Sequence, residues 1–191
     1  MQSSHWLRIW IAFFAGCIGA FQIGKTFASL TLIIEDLSLS LVQAGLVLSL
    51  FSLIAAFAGA GFGLLSDRVG HLRMALTGLA LSAAGSFAGA VVSSIEWLLL
   101  SRLLEGFGFI LAIVALPSLI SRSASDRDRP LAMGLWGAFM PAGIGLSMVI
   151  TPMLVDWHGW RGLWNDVGVM LLIWSAVLYL GFRRSAPQPG L

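Results

Sequence analysis

Four polar or ionic side chains lie inside long apolar runs of the chain, where such groups are rare. Arg102 and Glu105 are three positions apart in one run, and Gln22 and Lys25 have the same spacing in another. Residues at this spacing share one face of a helix. Because a charge at the centre of a bilayer costs at least about 2.5 to 3.5 kcal/mol, it persists where it is paired or faces water. These four residues are therefore candidates for binding a polar solute or for transferring protons.

The two ionic positions are predicted to lie at a similar depth. Arg102 follows the boundary residue Trp97 by about 7 to 8 Å along a helix, and Lys25 lies about 25 Å from Arg8. Two cations facing one cavity would suit a small anion or carboxylate, with Glu105 balancing one charge. Two structural interpretations stay open. Arg102 and Glu105 could form an ion pair that only neutralises itself, and Lys25 could extend along its stem to the outer interface.

The apolar runs that carry these residues predict an all-α membrane protein. Of the 191 residues, 58% are hydrophobic and 10% are charged, against about 25% charged residues in soluble domains. Runs of roughly 20 residues, each long enough to cross a bilayer, lie near residues 8–30, 42–62, 74–93, 97–119, 131–154 and 163–182. We therefore expect one domain of six transmembrane helices over residues 1–182, followed by a polar cytoplasmic tail over residues 183–191.

The arginines predict which side of the membrane each connection occupies. With six spans, one face carries Arg8, Arg68, Arg73, Arg122, Arg127, Arg129, Arg183 and Arg184. The other face carries Arg161 together with Glu35, Asp36, Glu96 and Asp156. Because basic residues collect on the cytoplasmic side, we expect a multi-pass plasma-membrane protein with both termini in the cytoplasm.

A short charged turn between the second and third runs carries the most specific motif of the chain. It extends from Gly63 to Arg73 and contains Asp67, Arg68 and Gly70. This turn resembles the signature loop between helices 2 and 3 of the major facilitator superfamily of secondary transporters, with Arg73 one place later than in the family pattern. The resemblance implies that Asp67 and the neighbouring basic residues hold the loop against the other half of the transporter and stabilise one conformation.

Two further segments resemble motifs of the same superfamily. Residues 102–108 resemble its helix 4 motif, in which an arginine, usually a glutamine, and then a glycine face the central cavity; here Glu105 replaces the glutamine. Lys25 followed by Ser29 resembles the basic helix 1 motif of the cyanate and nitroimidazole transporter branch. The resemblance implies that Arg102 and Glu105 face the substrate cavity.

The fifth run is expected to bend. Pro141 lies among several glycines, including Gly143, and a proline removes a backbone N–H and frees a carbonyl within a helix. The sequence therefore predicts a bend at Pro141 and Gly143 that lines a cavity. Helix 5 of the superfamily is often glycine-rich and proline-kinked, although the stricter glycine–proline motif of its drug antiporter branch is absent here.

The resemblance covers almost the whole chain but only the N-terminal half of the family fold. The superfamily uses two six-helix bundles around a site near the bilayer midplane, and the predicted spans amount to one bundle. Three explanations stay open: a truncated or split gene product, a half that pairs with itself, and a half that pairs with another chain.

These observations favour a secondary active transporter, or half of one, that moves a small anionic solute by alternating access, with proton coupling through Glu105. The alternative is a truncated or non-transporting membrane interaction protein whose ion pairs are structural. No enzyme, metal or cofactor is expected, because the three histidines lie outside the spans and show no metal-ligand or nucleophile–base spacing. The expected partners are the lipid bilayer, a small-molecule substrate and a second six-helix half. A nucleic-acid partner is not expected, since the arginines have a topological role.

Overall fold

A computed structural model describes residues 4–183 of the chain, except for the side chains of Ser52, residues 55–65 and Asp67. Within that range the chain is helical and contains no strand. The helices are α1 (Trp6–Leu37), α2 (Leu41–Val69), α3 (His71–Ala90), α4 (Ile95–Ser123), α5 (Arg129–Gly137) and α6 (Phe139–Phe182). The prediction of an all-α protein is confirmed. Residues 184–191, most of the predicted tail, lie outside the described residues.

The ends of the first three helices follow from local sequence. α1 ends at Leu37, and the next residue, Ser38, has a left-handed φ of 52°. α2 then begins with a capping box, in which the Gln43 amide donates to Ser40 Oγ and the Ser40 amide donates to Gln43 Oε1. Gly70 alone separates α2 from α3, with a φ of 94°. Only glycine adopts this conformation without a steric penalty, which explains the last glycine of the charged turn.

The bundle is built on pairs of closely packed helices. α1 packs against α6, α3 packs against both α4 and α6, and α2 packs mainly against α4. The core between them is apolar and includes the fully buried residues Ile9, Leu79, Leu98, Leu116 and Leu171. Because lipid supplies no hydrophobic drive between helices, such packing depends on close contact.

The fifth predicted span is divided in the structure. α5 and α6 are separated by Ala138, which lies three residues before Pro141. A proline ring clashes with the carbonyl four residues earlier, here that of Gly137, so the interruption follows from Pro141. Gly143 itself lies inside α6, where an added Cβ would come within 2.2 Å of the Cys17 carbonyl oxygen. This glycine therefore allows α1 and α6 to approach one another.

The helix boundaries differ from the predicted spans at several places. α6 contains the end of the fifth predicted span and all of the sixth, joined at Gly159, whose φ of 68° is not helical. Among the described residues, three stretches are long and apolar enough to cross a membrane: Trp6–Leu37, Ile95–Ser123 and Arg129–Phe182. The predicted number of six membrane crossings therefore stays a prediction.

One end of the bundle is held by an ion pair between α1 and α6. Arg161 Nη1 contacts Asp36 Oδ2, and Trp160 Nε1 donates a hydrogen bond to the same oxygen at 3.2 Å. Arg161 Nη2 also donates to the carbonyl of Val92, in the connection between α3 and α4, at 2.8 Å. The two charged residues that the sequence places on one face are thus in direct contact.

The opposite end is held by the segment that precedes α1. The Ser125 amide donates to Ser4 Oγ at 2.9 Å, and Ser4 Oγ donates to Asp128 Oδ2. The His5 amide donates to the Ser123 carbonyl at 2.9 Å. The hydrogen bond from Ser4 is the main cause that lowers the pKa of Asp128 below its ordinary value of 3.8, and the hydrogen bond from Ser125 contributes less.

Candidate functional site

The three ionic residues predicted inside spans meet at one point in the bundle. Lys25 Nζ of α1 lies 2.7 Å from Glu105 Oε1 of α4. Arg102 Nη1 contacts the other carboxylate oxygen, Oε2, one helical turn away. All three side chains are at least 99% buried. We call Lys25, Arg102 and Glu105 the buried ion cluster. The sequence identified its members, and the predicted pair between Arg102 and Glu105 is present.

Lys25 is fixed by contacts with three other helices. Its ammonium group donates to Ser86 Oγ of α3 at 2.6 Å as well as to Glu105 of α4. It also lies 4.2 Å from the ring centroid of Trp164 in α6, a cation–π distance. The interpretation that Lys25 extends to the outer interface is therefore wrong. Trp164 is itself fully buried.

Arg102 connects α4 with α1 and α2. Its guanidinium carbon lies 4.2 Å from the ring centroid of Phe51, and Nη1 donates to the Gln22 carbonyl at 3.4 Å. The Gln22 side chain instead donates from Nε2 to the Ser82 carbonyl at 3.3 Å. In the part of the chain that the structure describes, Arg102 Nε and Gln22 Oε1 have no hydrogen-bond partner. A buried polar group left unpaired costs about 1 to 3 kcal/mol, so a donor and an acceptor beside the cluster favour a polar ligand.

α3 supplies the polar scaffold around the cluster. Ser82 Oγ donates to the Glu105 carbonyl at 3.1 Å, and Ser86 Oγ donates to the Trp164 carbonyl at 2.8 Å. Gly85 lies between these serines, where an added Cβ would come within 2.7 Å of the Glu105 amide nitrogen. Sequence reasoning did not assign the serines to the site. The two serines are four residues apart and lie beside Gly85 and Gly89, which have the same spacing. That pattern of small and polar residues on one helix face is the signal that could have identified them.

The cluster combines two cations with one carboxylate. At neutral pH this leaves one formal positive charge in the bundle interior, where the low dielectric constant strengthens electrostatic interactions. Such a charge favours a nearby anionic group on electrostatic grounds.

The charged turn lies at one end of the bundle, away from the cluster. Arg68 and Arg73 are exposed, and Gly70 separates the two helices. The Asp67 side chain and position Gly63 lie outside the described side chains. The role of these five residues in holding one conformation therefore stays a prediction.

Comparison with known proteins identifies the family. Residues 12–191 match the family model of the Major Facilitator Superfamily. The chain belongs to the major facilitator superfamily. Members of this superfamily are membrane transporters rather than enzymes, so the chain is a multi-pass membrane protein.

Curated relatives within the superfamily are much longer than this chain. It is 29% identical over 163 residues to the inner membrane transport protein YajR of Escherichia coli K12, with 82% of the chain matched to 35% of that protein. It is 31% identical over 150 residues to the methylenomycin A resistance protein of Bacillus subtilis, with 78% matched to 30%. The riboflavin transporter RibZ of Clostridioides difficile is 23% identical over 186 residues, covering 95% and 40%. The chain thus spans about a third of these relatives. They give no support to the predicted cyanate and nitroimidazole branch.

A solved structure shows the same fold. The chain superposes on a bacterial homolog of the human lysosomal transporter Spinster, in an inward-facing and unoccupied conformation, with a TM-score of 0.88. The match covers 97% of this chain and 44% of that one, at 18% identity. The described helices therefore adopt the fold of one part of a major facilitator transporter.

Proposed function

We propose that this chain forms one half of a secondary active transporter that moves a small anionic solute across the plasma membrane by alternating access. Membership of the major facilitator superfamily supports transport. The observation that carries the choice of an anion is the buried ion cluster, in which Lys25 and Arg102 share the single carboxylate of Glu105.

Proton coupling follows from the charge of the cluster. When Glu105 is protonated, Lys25 and Arg102 lose their carboxylate partner, and an anionic solute replaces it. When the proton leaves, the two ion pairs form again and the solute is released. The net charge of the site is the same in both states, because one proton and one negative charge enter together. A site of this kind avoids the cost of changing the charge buried in the bundle.

A second bundle completes the site in this proposal. Transporters of this superfamily bind substrate between two halves, and the relatives are about three times as long as the matched segment. The second half is another copy of this chain or a different chain, packed beside it in the same orientation. Six membrane crossings with both termini in the cytoplasm provide that orientation, and Asp67, Arg68 and Arg73 would contact the partner half.

One observation favours the alternative, a membrane interaction protein that transports nothing. Both oxygens of Glu105 already have cationic partners, and the Lys25 ammonium contacts both Glu105 and Ser86. In this alternative the cluster, which satisfies most of its own charges, has a purely structural role and holds α1, α3 and α4 together.

Uptake by membrane vesicles distinguishes the two functions. Vesicles from cells that produce the chain are given a panel of small carboxylates and inorganic anions under an imposed pH gradient. We expect Arg102→Ala to abolish uptake while leaving the amount of protein near normal, because Lys25 and Glu105 still neutralise each other. Arg127→Ala, which removes an exposed arginine between α4 and α5, is the matched control. Uptake that survives Arg102→Ala, or that never exceeds the level of vesicles without the chain, contradicts the proposal.

A further inference from the structure

A cavity lies at the end of the bundle that carries both the start of α1 and the end of α6. It has a volume of about 680 Å³ and lies between α1, α3, α4 and α6. Four arginines from these helices or their ends line it: Arg8, Arg73, Arg122 and Arg183. We call it the basic end cavity.

Among the described residues, the four arginines have no carboxylate partner. Aspartate and glutamate do not occur among the described residues that line the basic end cavity. None of the four arginines takes part in an ion pair within the described part of the chain. Arg8 uses only its Nε to donate to the Gly181 carbonyl, at 3.1 Å.

Charges of one sign gathered around a single concavity repel one another. Screening by salt acts over about 8 to 10 Å, so arginines around a cavity of this size interact. A multivalent anion relieves that repulsion. Guanidinium groups bind phosphate through two parallel hydrogen bonds, which makes a phosphate group the anion that fits this set of side chains best.

The floor of the basic end cavity is apolar. Leu76, Leu119 and Phe182 line it, and Leu119 and Phe182 are more than 90% buried. Tyr179 adds a phenol hydroxyl that can donate or accept a hydrogen bond. A charged rim above an apolar floor is complementary to a phosphate attached to a less polar body.

We propose that the basic end cavity binds a phosphate-bearing anion. Two sources share this chemistry: the headgroup of an anionic phospholipid and a soluble phosphate compound. Basic pockets between transmembrane helices bind anionic lipid headgroups in other membrane proteins, and both sources meet the same four arginines here. The site is separate from the buried ion cluster, and it shares Arg73 with the loop that is proposed to contact the partner half.

The test uses the full chain in nanodiscs of phosphatidylcholine. Short-chain phosphatidylglycerol is titrated, bound lipid is counted by native mass spectrometry, and inorganic phosphate is added as competitor. Arg73→Gln/Arg122→Gln removes two arginines from the cavity. Arg127→Gln/Arg129→Gln removes two arginines from the same end of the bundle that do not line it, and serves as the matched control. Circular dichroism verifies that both variants keep their helices.

We expect the cavity variant to bind phosphatidylglycerol about 25-fold more weakly, since each arginine contributes about five-fold, and the control to change little. Arg73→Lys/Arg122→Lys keeps the charge but loses the paired hydrogen bonds, so its affinity for phosphatidylglycerol should lie between those of the cavity variant and the control. If inorganic phosphate competes with the lipid, a phosphate group alone is sufficient for binding. If it does not compete, binding requires the lipid headgroup together with its apolar body. Equal losses in the cavity variant and the control, or no loss in either, would overturn the proposal.

Discussion

Glu105 holds the buried ion cluster together at the scale of single residues, since its two carboxylate oxygens are divided between Lys25 and Arg102. Removing one member of a buried ion pair is strongly destabilising, because the charge that remains is still buried but has lost its partner. Here the loss of one carboxylate affects two cations. The cluster is therefore both the candidate solute site and a large contribution to the integrity of the bundle.

Glu105→Gln is expected to lower the free energy of unfolding by about 3 to 5 kcal/mol. The amide has nearly the same shape as the carboxylate but cannot neutralise Lys25 and Arg102. Lys25→Met in the same background should recover part of the loss, since it removes one uncompensated charge. Thermal unfolding in detergent measures both effects.

The control for this prediction is Glu35→Gln, which changes an exposed carboxylate of the same helix that carries Lys25. We expect it to change stability by less than about 0.5 kcal/mol. If Glu105→Gln proved as mild as this control, the cluster would contribute little to stability, and its charges would be satisfied in another way.

Helix packing decides, at the scale of elements, whether the cluster forms at all. Gly85 is one of the points where the backbone of α3 lies close to α4, beside Glu105. An added methyl group would lie 2.7 Å from the Glu105 amide nitrogen and 2.8 Å from its Cγ. Neither a backbone nitrogen nor a buried carboxylate stem has room to move away.

We expect Gly85→Ala to destabilise the protein by about 1 to 3 kcal/mol, the usual cost of overpacking. α3 and α4 must separate, so the contact between Lys25 and Glu105 should also weaken. Gly145→Ala is the matched control, because nothing lies within 4 Å of the added methyl group there. Unfolding midpoints of the two variants are to be compared, and equal midpoints would show that α3 and α4 do not approach as closely as described.

The attachment of the N-terminal segment to the α4–α5 connection is expected to depend on pH. Hydrogen bonds lower the pKa of Asp128 in the folded protein, so its carboxylate stabilises the contact with Ser4 at pH values above its ordinary pKa of 3.8. That stabilisation is lost as the pH falls through the lowered folded-state pKa.

Hydrogen–deuterium exchange at the His5 amide measures this attachment, since that amide donates to the Ser123 carbonyl. We expect slow exchange near neutral pH, and faster exchange, after correction for the intrinsic rate, once Asp128 is protonated. Asp128→Asn should exchange faster at neutral pH and show no such transition. A transition that persists in Asp128→Asn would have to be assigned to another group.

Local sequence predicted the chemistry of the site better than its surroundings. Arg102 and Glu105 were identified because their spacing of three residues fixes their contact within one helix. Ser86 and Trp164 were not identified. They lie 61 and 139 residues after Lys25 in the chain and contact it through helix packing that no local sequence pattern encodes. Helix ends were also misplaced, since hydropathy follows the membrane, whereas α1 continues beyond the predicted span to Leu37.

The whole molecule has two ends with different residues, and this polarity leads to a topology prediction. Asp36 and Arg161 meet at one end, and Ser4 and Asp128 meet at the other. The two ends are separated by the length of α1, which has 32 residues and is therefore about 48 Å long at 1.5 Å per residue. The end with the basic cavity is expected in the cytoplasm.

Single cysteines at Glu35 and at Arg127, in a Cys17→Ser background, test this orientation. Both positions are exposed, and neither takes part in an ion pair among the described residues. An impermeant thiol reagent should label the first from outside intact cells and the second only after the membrane is opened. Labelling of both from the outside would contradict the proposed orientation.

The 80 residues that separate Lys25 from Glu105 have a consequence for synthesis of the protein. At a translation rate of about 5 to 20 residues per second, the carboxylate is made about 4 to 16 s after the lysine. During that interval α1 carries a cation that would cost about 2.5 to 3.5 kcal/mol at the bilayer centre. The first helix is therefore expected to stay beside the insertion machinery or near water until the fourth arrives, so that the order of synthesis, and not hydropathy alone, governs when the bundle closes.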